Sequence, residues 1–178
     1  MTYVPMRLRP VSDAEIRERA ASYREMVASA SGPDRFEVAY RWLRHIRGRA
    51  SRRSYQSPDA ERAALSRRDA LIQEAAVAGR DAAERIDAVL PQEFRERSPV
   101  RLAHRAKFDE ATTPLDRLTA AYVWVRWSSR QLDKRGNWRA FEGIDLPASK
   151  QIRDQVMDET GLRLAAWAEE IGATEERA

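Results

Sequence analysis

Residues 59–90 hold no proline and a single glycine. Within them Leu65, Ile72, Ala75, Gly79, Ala82, Ile86 and Val89 recur in steps of three, four or seven. That is the period of one helical face, and a strand does not share it. Ser57-Pro58 supplies an N-cap followed by proline at the first helical position, and Pro91 stops the run. The spacing predicts one helix from 58 to 90, about 50 Å long, with a kink at Gly79 as the alternative. An apolar stripe of that length has to be covered along its side, which the other helices of a bundle can do. The small residues at 75, 79 and 82 admit a neighbouring helix at close range.

The rest of the chain repeats this grammar. Ser12 with Glu15 three residues later is a capping box, and Ile16, Ala20, Tyr23, Val27 and Ala30 form the stripe of a first helix. The break "SGPD" follows at 31–34. A second helix is expected from about Asp34 to Arg47, with Phe36, Ala39, Leu43 and Ile46 inward and Gly48 at its end. Ser98-Pro99 and Thr113-Pro114 open a fourth and a fifth helix, the fifth reaching about residue 134. Its inward stripe is Leu115, Leu118, Tyr122, Val125 and Leu132, while Val123, Trp124 and Trp127 fall on a second apolar side. Residues 135–147 read as a loop through Gly136, Gly143 and Pro147. A last helix spans about 148–171, open to interruption at Gly161. The expected fold is an all-α single-domain bundle of about six helices over residues 1–178, with one long central helix. An N-terminal arm is expected at 1–11 and a frayed acidic tail at 172–178. With 43% hydrophobic residues the chain can build one such core.

Charge is distributed unevenly. Of 32 basic residues only Lys107, Lys134 and Lys150 are lysine. An arginine-rich, alanine-rich composition is partly a matter of codon usage in a GC-rich genome, so position says more than number. Residues 1–57 carry 12 basic and 6 acidic side chains; residues 58–112 and 113–178 each carry 10 and 11. The whole excess of the chain, net +4, therefore comes from the first third.

Two segments stand out. "RWLRHIRGRASRRSY" (41–55) holds six arginines and a histidine without an acid. Arg41, Arg44 and His45 fall opposite the inward face of the second helix, Arg47 at its edge, and Arg49, Arg52 and Arg53 beyond Gly48. Like charges this crowded repel, and cations at a helix C-terminus account for one or two of them. A polyanion would neutralise them with release of counterions; an acidic protein surface or a merely solvated face are the other readings. "RWSSRQLDKRGNWR" (126–139) has five basic residues against Asp133. Arg126, Arg130 and Lys134 form an i, i+4, i+8 row beside Trp127, followed by Arg135, Trp138 and Arg139. This is either the polar end of a helix buried on two sides, or a surface that stacks bases and holds phosphates. Trp138, between Arg135 and Arg139, suits stacking and equally suits folding back onto the core. The acidic pairs at 169–170 and 175–176 could meet the basic third of a neighbouring copy head to tail.

Several chemistries are disfavoured. There is no cysteine, hence no disulfide, thiolate nucleophile or cysteine metal site. His45 and His104 are the only histidines, and Asp109 stands five residues after His104, off the helical i, i+4 spacing. No phosphate-cradling glycine loop or helix-turn-helix pattern occurs, and "DETG" (158–161) and "DKRG" (133–136) read as helix ends. No metal, cofactor or catalytic residue is expected, and the chain does not read as an enzyme. The N-terminal residues lack the apolar stretch of a secretory leader, and there is no run long enough to span a membrane. A cytoplasmic protein is expected.

Through Arg41, Arg44, Arg49, Arg52 and Arg53, with Arg126, Arg130 and Arg139, the chain resembles the small helical subunits of multi-subunit CRISPR interference complexes. The likeness covers the whole chain as size, helix content and arginine richness. It implies a non-catalytic subunit of a nucleoprotein assembly that holds RNA or single-stranded DNA by its backbone, beside other protein subunits and copies of itself. Arginines would then contact phosphates without sequence readout. The alternative is a helical assembly factor of phage or plasmid type that meets protein alone.

Overall fold

The computed structural model describes residues 12–50, 55, 57–134 and 143–177; the side chains of residues 13, 47–50 and 175–177 lie outside the description. Among the described residues there are seven helices: α1 (Asp13–Ser29), α2 (Gly32–Ala50), α3 (Pro58–Ala88), α4 (Gln92–Arg97), α5 (Pro99–Glu110), α6 (Pro114–Gln131) and α7 (Leu146–Arg177). The all-α expectation holds, and none of these helices is long and apolar enough to cross a membrane.

The caps explain most of the starts. Ser12 and Glu15 close a complete capping box on α1. Ser57, Ser98 and Thr113 each accept a first-turn backbone N–H, with proline at the start of the helix that follows. The helix at 58 runs unbroken through Gly79, as the stripe predicts.

Four expectations need correction. The second helix starts at Gly32 and passes through Gly48 to Ala50, because Gly32 itself takes a positive φ of 53° and turns the chain into it. A short helix, α4, fills the expected gap after Pro91. The helix at 114 closes at Gln131 rather than near 134. The last helix starts at Leu146, is continuous through Gly161 and extends to Arg177.

Helices α2, α3, α6 and α7 surround the core. Gln73 meets Arg117, Gly79 meets Ala121 and Asp87 meets Ser128, so α3 and α6 run parallel. Gly32 meets Asp158 and Phe36 meets Gly161, so α2 and α7 are also parallel. Arg85 pairs with Glu159 and Arg67 with Glu170, so α3 and α7 are antiparallel. On the remaining side, Tyr122 of α6 stacks between Phe36 and Tyr40 of α2, closing the ring. Helix α1 covers α2 through the Tyr23–Trp42 stack, and α5 folds back along α6.

Two close approaches define the packing. A Cβ on Gly79 would stand 3.0 Å from Cβ of Ala121, and a Cβ on Gly161 would stand 2.9 Å from the backbone nitrogen of Phe36. The expected close neighbour at 75–82 is therefore α6.

Carboxylates, one of them fully buried, tie the helices together. Asp87, 1% exposed, accepts from Arg101 Nε (2.6 Å), Trp124 Nε1 (3.1 Å) and Ser128 Oγ (2.6 Å), tying α3, α5 and α6. "DETG" is no helix end: Asp158, within α7, accepts from Gly32 N (2.7 Å) and Arg35 Nη1 (2.6 Å) at the start of α2. Asp133, just past α6, receives Arg153 and Lys150 of α7. Burial raises the Asp133 pKa, but the hydrogen bonds from Arg153 and Lys150 outweigh it and leave the carboxyl below its usual value.

Candidate functional site

The described parts of the two basic segments, some eighty residues apart, meet on one face: Arg41, Arg44 and His45 with Arg126, Arg130 and Lys134. Two clefts lie side by side there and share Tyr122. The first, about 460 Å³, is lined by Tyr23 of α1, by Glu37, Tyr40, Arg41, Arg44 and His45 of α2, and by Tyr122. The second, about 490 Å³, runs between α5 and α6. His104, Val123, Arg126, Trp127, Arg130, Gln131 and Lys134 line it with Tyr122.

Helix α2 reaches this face only by its outer edge. Tyr40, Trp42, Leu43 and Ile46 are all buried, because α1 and α7 pack along α2 and Tyr122 of α6 stacks on it. Arg41 and Arg44 remain exposed, as expected. His45 does not face water fully: it is half-buried, its ring 5.7 Å from that of Tyr23. Arg47, Arg49, Arg52, Arg53, Arg135, Trp138 and Arg139 lie outside the described side chains. On α6, Trp124 is fully buried core and Trp127 half-buried, whereas Val123 is 43% exposed and forms no second buried side. The helix turns Val123 away from α3 and α2 into the groove beside α5.

The electrostatics centre on Glu37. It accepts from Arg41 Nη2 (3.0 Å) and from Tyr122 Oη (2.6 Å). Arg126 donates to Tyr122 Oη (2.8 Å) and stands 3.8 Å from the same carboxylate. Burial raises the Glu37 pKa, but the Tyr122 and Arg41 hydrogen bonds and the Arg126 charge prevail, so it lies below the ordinary carboxyl value. Tyr122 is pushed up by burial and by its bond to Glu37, and stays protonated. One carboxylate thus serves two arginines. The absence of acid in 41–55 is partly a matter of where the window starts: Glu37 is one turn before Arg41, at the i, i+4 spacing of helical ion pairs.

Among the described residues, the remaining cations of the face have no carboxylate. Arg44 lies over the Tyr40 ring, 6.0 Å from its centroid. Arg130 is exposed, and among the described residues Lys134 Nζ reaches the amide oxygen of Gln131, at 3.4 Å. Across the two clefts five lysine or arginine side chains therefore face the single carboxylate of Glu37. The cleft between α3 and α7 is different, with Glu74 and Asp81 against Arg163.

Aromatic rings sit between these charges. Trp127 stacks on Phe94 at 6.0 Å and meets His104 at 5.5 Å. Burial and then the charge of Lys107 lower the His104 pKa, so its ring is neutral at pH 7. Elsewhere several arginines are matched, Arg24 with Glu169, Arg67 with Glu170 and Arg35 with Asp158, while others, such as Arg117 and Arg163, pair with no carboxylate among the described residues. Glu169 and Glu170 are thus engaged within their own molecule. No family model matches the sequence, and no curated protein or solved structure matches it.

Proposed function

We propose that the α2–α6 face binds the phosphate backbone of a nucleic acid, without reading its sequence, as the work of a non-catalytic subunit in a nucleoprotein assembly. One observation carries this: two segments remote in the chain supply five cations against one carboxylate on a continuous, ring-bearing surface. Folding alone gains nothing from keeping Arg44, Arg130 and Lys134 without carboxylates, whereas a polyanion releases counterions on meeting them. Guanidinium groups suit phosphate geometry, and contacts of this kind hold a strand without identifying its bases.

The test is retention of random single strands and random duplexes at two salt concentrations. Wild type is compared with Arg44→Ala, Arg130→Ala and Lys134→Ala combined; these exposed side chains make no ion pair among the described residues, so the fold is expected to persist. Each lost phosphate contact makes the log–log salt slope shallower by roughly 0.7–0.9, or roughly two to three units for the triple variant. Failure of the wild type to hold either nucleic acid at low salt rejects the proposal.

A second reading, an assembly factor meeting protein alone, draws on the apolar side chains of Val100 and Leu102, 47% and 49% exposed on α5. It expects association that survives the triple substitution.

A further inference from the structure

We infer that the α5–α6 cleft takes an unpaired base of a single strand against Trp127, Val123 and His104, with Arg126, Arg130 and Lys134 on the flanking phosphates. This rests on the polyanion reading above and narrows it to single strands. The floor and the rim of the cleft differ in chemistry. Val123 is 43% exposed, and the half-buried Trp127 and His104 line the same space. At about 490 Å³ the cleft lies within the usual volume range of small-molecule sites, enough for one flat heterocycle.

Trp127 is already fixed by the Phe94 stack, so little side-chain freedom remains to be lost when a base arrives. Arg126 and Arg130 stand four residues apart on α6, about 6 Å along the helix, and Lys134 follows just past its end, so the three can follow a backbone past the slot. A duplex has no free base to offer; its phosphates would lie over Val123 and Trp127 and lose water with nothing gained. An acidic peptide satisfies the cations but leaves the apolar floor unused. Charge complementarity and a ring-lined floor together favour a strand whose bases can leave the stack.

The full chain is titrated, in one buffer, with a homothymidine oligonucleotide, the same length of backbone built from abasic units, a duplex of that length, and polyglutamate. Base stacking on aromatic side chains predicts that the abasic strand binds roughly five- to a hundredfold more weakly, at a similar salt slope. The duplex and polyglutamate are expected to bind no better than the abasic strand. Trp127→Leu should weaken the homothymidine complex by a similar factor and leave the abasic one unchanged; the comparison on unaltered protein stands even where that variant does not fold. Equal affinity for base-bearing and abasic strands overturns the stacking inference and leaves phosphate binding standing. Polyglutamate bound as tightly as homothymidine also overturns it, in favour of an acidic peptide. No binding to any strand at low salt removes the phosphate reading and this one with it.

Discussion

Asp87 carries the largest structural load of any single carboxylate described here. It is 1% exposed and accepts three hydrogen bonds, from Arg101, Trp124 and Ser128. Asp87→Ala would leave a mostly buried guanidinium, an indole N–H and a hydroxyl without their acceptor. Removing one partner of such a buried pair costs about 3–5 kcal/mol. Urea unfolding should show a midpoint lowered accordingly with an unchanged slope; a loss under about 1 kcal/mol would mean that water replaces the carboxylate. Nothing in the sequence marks this residue. It follows Ile86 near the end of a helix whose other acids face solvent, and its burial arises because α6 packs Trp124 and Ser128 against it and α5 returns Arg101 to it. Glu37 was missed as well, although its i, i+4 spacing to Arg41 is visible in the chain. Tyr122 could be placed in an apolar stripe, but its hydroxyl partner belongs to another helix.

At the scale of the element, the helices were legible where caps and stripes agreed. Ser57-Pro58, Ser98-Pro99 and Thr113-Pro114 each open a helix at the expected residue. Glycine misled in both directions. Gly48 lies inside α2 and Gly161 inside α7, because the chain needs no turn at either place. At Gly161 the glycine answers to a neighbour instead: any side chain would press on the backbone of Arg35 and Phe36. Gly172, on the same helix, has no atom within 4 Å of where a Cβ would stand. The two positions make opposite expectations for one substitution. Gly161→Ala should destabilise by about 1–3 kcal/mol through overpacking, while Gly172→Ala should stabilise by about 0.5–1 kcal/mol through helix propensity. Thermal unfolding of the two variants decides it, and a gain at both would show that α2 and α7 can separate slightly without loss. The short α4 was missed because "QEFRER" is too brief for a stripe to register.

For the whole molecule, the two basic segments were each visible, but their meeting was not. Their union depends on α1 and α7 packing along α2 and on Tyr122 of α6 stacking 3.6 Å from Tyr40, a tertiary register that no local spacing encodes. The joined face sets stability against charge at Glu37. Its carboxylate holds Arg41, Tyr122 and, at 3.8 Å, Arg126, and it also cancels one cation that a polyanion could use. Glu37→Gln keeps the shape and removes the charge. Stability should fall by about 1–2 kcal/mol, the scale of hydrogen bonds to a charged group. The folded pKa of Glu37 lies below its unfolded value of about 4.5, so the stability it supplies is complete above that pH and is lost as pH falls through the lower, folded value. The stability gap between wild type and variant should therefore close in acid. Affinity for a single strand at low salt should move the other way, rising roughly fivefold on the scale of one surface charge–charge contact, with the gain fading as salt screens it. A variant that unfolds more easily yet holds the strand more tightly separates the two roles of this carboxylate. A parallel fall in both would mean that Glu37 builds the face by positioning Arg41 and Arg126, and that their geometry counts for more than their net charge.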